Sequence, residues 1–291
     1  MQKRKRKFQG QWPARGHSLS IATALLAAVA WVTASTVAPA SAAAADLPDP
    51  AALQQALKVP AQTIEVVEPH LSTPGRKTMV AYRGWPADAV LDHLLGPDWR
   101  TPGRDVEFRA LDGYVSRVPA ERFAEYPAYL VFESPGRPSF TVDNPLQNEN
   151  DVPLGPYYMV WDNVRHPDLL AEGASYWPYQ VSEVLLSDTG LEALLPGTMA
   201  ERYADDAALV RKLCLSCHTI NGYGGDKWPI DLAARVKNMT AEDFQRWVLT
   251  PNAVKPGTTM PPLAAHNPES EREAMARRLY GYLKAIPARV P

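Results

Sequence analysis

The period of apolar and polar positions changes along this chain. Between Asp46 and Leu195 the apolar runs are short, alternate with a period of two and are broken by Pro and Gly. Residues 78–82 predict a strand, and 87–95 a helix that Gly96-Pro97 stops. Residues 106–111 alternate, turn at Asp112-Gly113 and resume over 114–118, which is the pattern of a β-hairpin. Further strands are predicted over 128–133, 155–161 and 179–186. The run 143–151 is polar and rich in turn formers, so it reads as a solvated loop.

From Pro196 onward the period lengthens. Tyr203, Ala207, Val210, Cys214 and Cys217 recur on one helical face, with Glu201, Arg202, Asp205, Asp206, Arg211 and Lys212 largely outside it. Thr240-Ala241-Glu242-Asp243 is a helix start, followed by Phe244 and Trp247 and ended by Thr250-Pro251. Ser270-Glu271-Arg272-Glu273 is a capping box, and the helix it opens carries Met275, Leu279, Tyr282 and Ile286 along one stripe. An irregular loop holds Lys255 to Leu263. The expected fold class is α+β, with a β-rich domain over 46–195 and an all-α domain over 196–291.

Composition sharpens this picture at the N-terminus. Lys3 to Lys7 and Arg15 form a basic leader, and no charge occurs from Gly16 to Ala45. An apolar stretch from Ile21 to Val32 is followed by small residues and Ala40-Ser41-Ala42, the order of a cleavable export signal. Residues 1–45 are therefore expected to be a signal peptide that sends the protein to the periplasm. A retained membrane anchor is the rival, but it needs roughly 20 consecutive apolar residues. Thr23, Thr33, Ser35, Thr36 and Pro39 dilute this stretch, and membrane association is expected only if the leader stays. Removing residues 1–42 takes away six basic and no acidic residues and moves the formal charge from -2 to -8. That balance disfavours nucleic acid as a partner, because its phosphates require a basic surface.

The chain has only two cysteines, in Cys214-Leu215-Ser216-Cys217-His218. This is the attachment signature for one covalent haem c. Two thiols three residues apart can each add to one vinyl group of a porphyrin, and the next residue offers an imidazole to the iron. A dithiol redox pair normally follows a strand and opens a helix, whereas a long helical pattern precedes this motif. A structural zinc site needs four ligands, and the only later histidine is His266. A disulfide across two residues leaves His218 unexplained. For the sixth iron ligand, Met260 stands in Thr258-Thr259-Met260-Pro261-Pro262, a loop stiffened by prolines, and His266 is the alternative. The expected site is thus Cys214, Cys217, His218 and Met260, with His218 and Met260 on the metal. A His/Met pair raises the reduction potential relative to other pairs and leaves no open iron position for substrate.

Residues 196–291 resemble the class I cytochrome c family in these motifs, with Gly257-Thr258-Thr259-Met260-Pro261 and Tyr282-Leu283 matching its loop and last helix. No glycine stands where the family's helices cross, and Ala207 or Ala208 takes that place. The front half, in Leu111-Asp112-Gly113-Tyr114-Val115, Tyr129-Leu130-Val131-Phe132-Glu133 and Leu154-Gly155-Pro156-Tyr157-Tyr158, resembles the molybdopterin-binding domain of the sulfite oxidase family. That family holds its metal by a cysteine, and none occurs between Asp46 and Leu195. His70, His93 and His166 lack ligand-like spacing, and the aromatics Tyr157, Tyr158, Trp161, Tyr176, Trp177 and Tyr179 read as core.

The leading expectation is an electron-transfer protein rather than a catalyst. It would pass electrons between a redox partner (a dehydrogenase, an oxidase or another cytochrome) and the respiratory chain. The alternative is the haem subunit of an enzyme whose front domain keeps a cofactor or substrate site.

Overall fold

The computed structural model describes residues 44–73, 75–187 and 190–288. The signal-peptide expectation falls on residues 1–45 and so lies almost wholly outside the described residues. In chain order the first part comprises β1 (Ala44–Asp46), α1 (Pro50–Ala56), β2 (Gln62–Val67), β3 (Met79–Pro86), α2 (Ala87–Leu95), β4 (Asp105–Ala110) and β5 (Val115–Pro119). It continues with the one-turn α3 (Arg122–Glu125), β6 (Ala128–Glu133), β7 (Thr141–Asn144), β8 (Glu149–Pro153), β9 (Tyr158–Trp161) and β10 (Val181–Ser187). The second part holds α4 (Leu191–Leu194), α5 (Ala200–Leu213), β11 (Thr219–Ile220), β12 (Tyr223–Gly224), α6 (Leu232–Lys237), α7 (Ala241–Leu249), α8 (Pro251–Val254) and α9 (Glu269–Ala285). The architecture is α+β, β-rich in front and helical toward the C-terminus.

The front strands form two four-stranded antiparallel sheets, ordered β1-β10-β4-β5 and β2-β3-β6-β9. Alternation fixes which way each strand faces. Val106, Phe108 and Val118 join a core with Trp85, Trp99, Trp161, Tyr82 and Tyr158. The intervening Asp105, Glu107 and Arg117 are buried as well, because the other face of β4–β5 meets the C-terminal part. α2 starts after Pro86 and stops at Gly96, whose positive φ of 72° favours glycine. A second hydrophobic cluster, from Leu194 to Ile286, gathers α5, α6, α7 and α9. Within it Tyr282 donates to the Leu194 carbonyl at 2.7 Å. Among the described residues no helix is long and apolar enough to cross a membrane.

Several expectations need correction. The polar run 143–151 is not a plain loop: it forms the β7–β8 hairpin, closed where Asn148 takes a left-handed φ of 54° and Asp143 accepts from the Asp151 amide at 2.9 Å. The last helix begins at Glu269 behind Pro268, with no side-chain cap, so Ser270 is already helical. The helical face drawn through Cys217 ends earlier, since α5 stops at Leu213 with Cys214 as its C-cap. The C-terminal part is also not all-α. Gly222 allows a tight return after Ile220, and β11 and β12 pair as a two-stranded sheet immediately after His218.

Candidate functional site

The site grows from the end of α5. The Cys214 amide still donates to Val210, and beyond it the chain winds so that Cys217 and His218 both donate to the Cys214 carbonyl, at 3.3 and 3.0 Å. The two thiols and the imidazole therefore share one turn. The Gly225 amide bonds the Leu215 carbonyl at 2.8 Å and that of His218 at 3.2 Å, and Trp228 donates to Cys217 at 2.9 Å. Gly225 is required here: a Cβ at this position would lie 2.1 Å from the Ser216 carbonyl oxygen.

His218 Nδ1 lies 3.1 Å from the Trp228 carbonyl. A carbonyl can only accept, so Nδ1 carries the hydrogen and Nε2 presents its lone pair. Burial lowers the His218 pKa, and the Trp228 bond only partly offsets it, which keeps the ring neutral. Such a tautomer-fixed imidazole is what a metal-ligating histidine requires. Burial pushes the Cys214 thiol up to about 12, with the neighbouring Cys217 adding to the effect. Burial also pushes Cys217 up to about 11, against the pull of Lys227. Both groups are thiols at neutral pH, which disfavours the dithiol redox reading, because that chemistry needs a lowered pKa.

Met260 lies in the loop between α8 and α9, half-buried against the same hydrophobic cluster as Cys214. Its amide donates to Thr258 Oγ1 at 3.3 Å. His266 is placed differently. Its ring lies over Gly173, where a Cβ would come within 2.4 Å of its Cδ2 atom, and burial and the nearby His70 lower its pKa. Of the front histidines, His70 is buried against Glu68, with Nδ1 2.7 Å from Oε1. Tyr82 and Tyr158 also donate to Glu68. His93 is exposed, and His166 stacks edge-on to Tyr126. Among the residues sequence reasoning missed, Trp228 orients His218. Arg117 is another, donating to the Leu215 carbonyl at 3.3 Å and to that of Gly224 at 3.1 Å. The signal for Arg117 was a charged side chain in a short strand that also carries Val115 and Val118.

Comparison with protein families and with curated proteins finds no match for this chain. Among the described residues no group of three or more His, Cys, Asp or Glu side chains is placed to hold a metal ion. The resemblances to class I cytochrome c and to the sulfite oxidase family are therefore not upheld, and the C-terminal sheet departs from the all-α domain that the first of them implied.

Proposed function

We propose that this chain is an exported, monohaem electron-transfer protein. Its haem c would be held by thioether bonds from Cys214 and Cys217, with iron ligated by His218 and Met260. The observation that carries the reading is the Cys214–His218 turn, in which Trp228 holds Nδ1–H and leaves Nε2 free to ligate. Each thiol would add its S–H across one vinyl double bond, sulfur to one carbon and hydrogen to the other, so attachment would consume no oxidant. The raised thiol pKa values keep that hydrogen on sulfur beforehand. With the porphyrin bound, His218 and Met260 would be the two iron ligands that the chain itself furnishes. Bound haem supplies a reversible one-electron couple.

The chain's own side chains do the rest. His218 is oriented, Met260 is held in a proline-stiffened loop, and Trp228 and Ile230, both exposed, offer apolar surface beside the site. With both His218 and Met260 on the iron, the group would have no position open for substrate, which favours a carrier over a catalyst. The expected role is transfer between a dehydrogenase, oxidase or other cytochrome and the respiratory chain, in the periplasm. Full-length protein expressed with export and haem-attachment machinery is expected to give a haem-stained band that survives denaturation, with one iron per chain. A form lacking residues 1–42, expressed without cytoplasmic attachment machinery, is expected to stay haem-free. A denaturation-labile or absent haem in the full-length protein sinks the reading. One equivalent of a second redox metal beside the iron shifts it to the enzyme alternative.

A further inference from the structure

The geometry points to Arg117 and Asn148 as positioning residues through which the β-rich part fixes both ligand-bearing loops, an inference that rests on the proposed haem site. The Arg117 side chain is 6% exposed, and its Nε sits 2.8 Å from Glu107 Oε2. The two ends of its fork reach the Leu215 and Gly224 carbonyls, and its Cζ lies 4.4 Å from the Tyr223 ring centre. Leu215 stands between the two cysteines, and Gly224 lies on the returning strand beside His218. One guanidinium thus bridges both limbs of the turn that presents the imidazole. A rigid planar fork suits two divergent carbonyls as a lysine ammonium does not.

Backbone contacts repeat the pattern. Val115 N donates to the Ser216 carbonyl at 2.8 Å, and the Asp226 and Lys227 amides donate to Gly113 at 3.1 and 3.2 Å. Gly113, with φ at +86°, has room for no side chain here, since a Cβ would lie 2.6 Å from Asp226 Oδ1 and 2.9 Å from the Lys227 nitrogen. Lys227 pairs with Asp112 at 2.7 Å. The tip of the β4–β5 hairpin is therefore fastened to the Cys214–Trp228 loop along its length.

The other loop is held from the β7–β8 turn. Asn148 Nδ2 donates to the Thr258 carbonyl at 2.6 Å, two residues before Met260, and lies 3.5 Å from Asn252 Oδ1. Asn252 Oδ1 in turn accepts from the Gly257 amide at 2.8 Å. Ordinary packing between two regions does not require that the carbonyls between the cysteines and two residues before the loop methionine be the groups bonded. Lys212, by contrast, joins the regions from α5 through Glu172 at 2.7 Å and touches neither loop.

The test compares Arg117→Lys, Arg117→Gln, Asn148→Ala and the control Lys212→Gln in full-length haem-loaded protein. The readouts are covalent haem content, the weak red band of sulfur-to-iron ligation in the oxidised form, and the reduction potential. All four variants are expected to retain covalent haem. Asn148→Ala is expected to raise the fraction lacking the sulfur–iron band at least tenfold. Both Arg117 variants are expected to shift the potential, Arg117→Gln downward, because it leaves the Glu107 charge less compensated and favours oxidised iron. Lys212→Gln is expected to lower only the melting temperature. If Arg117→Gln does not fold, Arg117→Lys and Asn148→Ala decide. Band and potential unchanged in those two, or moved equally by Lys212→Gln, overturn the positioning role. A parent protein without covalent haem overturns the functional reading and the positioning role with it, and the two failures are distinguished by the parent's haem stain.

Discussion

The β-rich part and the helical part close their cores to different degrees. Among the described residues the front cluster has 31 buried apolar side chains and 13 half-covered ones packed against it, whereas the rear cluster has 15 of each. The front also fully buries Trp85, Trp99, Trp161, Tyr82, Tyr157 and Tyr158, while Tyr282 is the one aromatic of that rank in the rear. Fully burying a large apolar side chain contributes about 1.5–3 kcal/mol, and half-covering it about half of that. The front therefore draws more of its stability from apolar burial than the rear does. The loops carrying Cys214–Trp228 and Met260 are in addition tied to the front by hydrogen bonds and an ion pair.

The contrast can be broken most decisively at the thiols. Changing Cys214→Ala and Cys217→Ala together is expected to abolish covalent haem, and to lower the thermal midpoint reported by helical signals more than that of the front aromatics. Equal shifts in far-UV and near-UV transitions would show that the two parts melt as one. Next in size is a large-to-small change in each core. Trp161→Ala removes a buried ring whose Nε1 donates to the Tyr176 carbonyl at 2.7 Å, and it is expected to cost about 3–5 kcal/mol in denaturant unfolding. Met239→Ala, half-covered in the rear, is expected to cost about 1 kcal/mol; equal costs would remove the asymmetry.

Met260→Ala sharpens the comparison at the site. It is expected to keep covalent haem, lose the sulfur–iron band and lower the potential, while His266→Ala, packed over Gly173, changes neither. Simple packing by the half-buried Met260 predicts instead a loss of about 1 kcal/mol with an unaltered spectrum.

The smallest effect concerns pH and belongs to the front alone. Burial pushes the Glu68 carboxyl up, but bonds from His70 and Tyr82 outweigh it and hold its pKa below the usual value. A carboxyl depressed in the folded state adds stability above its unfolded pKa of about 4.3, and that stability is lost as the pH falls through the folded value. Glu68→Gln is thus expected to flatten the acid limb of front-region stability between neutral pH and pH values below about 4, measured by urea midpoints followed through Trp fluorescence.

Much of the front was legible where local signals agree. The helix over Ala87–Leu95 and the strand over Ala128–Glu133 match their expected bounds, because Pro86, Gly96-Pro97 and Pro127 punctuate them. The β7–β8 hairpin was not, since its strands carry few apolar residues and its closure depends on a left-handed Asn148. The helix α6 escaped notice for a related reason: it is six residues long and its cap, Asp231, follows a Trp-Pro-Ile run rather than a turn signal. At the site, the Cys-His spacing is contiguous and readable. The groups that orient it are not, because Trp228 acts through its carbonyl and Arg117 comes from another part of the chain.

That distance has a consequence for assembly. Arg117 bonds carbonyls 98 and 107 positions further along. Fastening the Cys214–Trp228 turn to the β4–β5 hairpin therefore closes a long loop, a non-local step of the kind that slows folding.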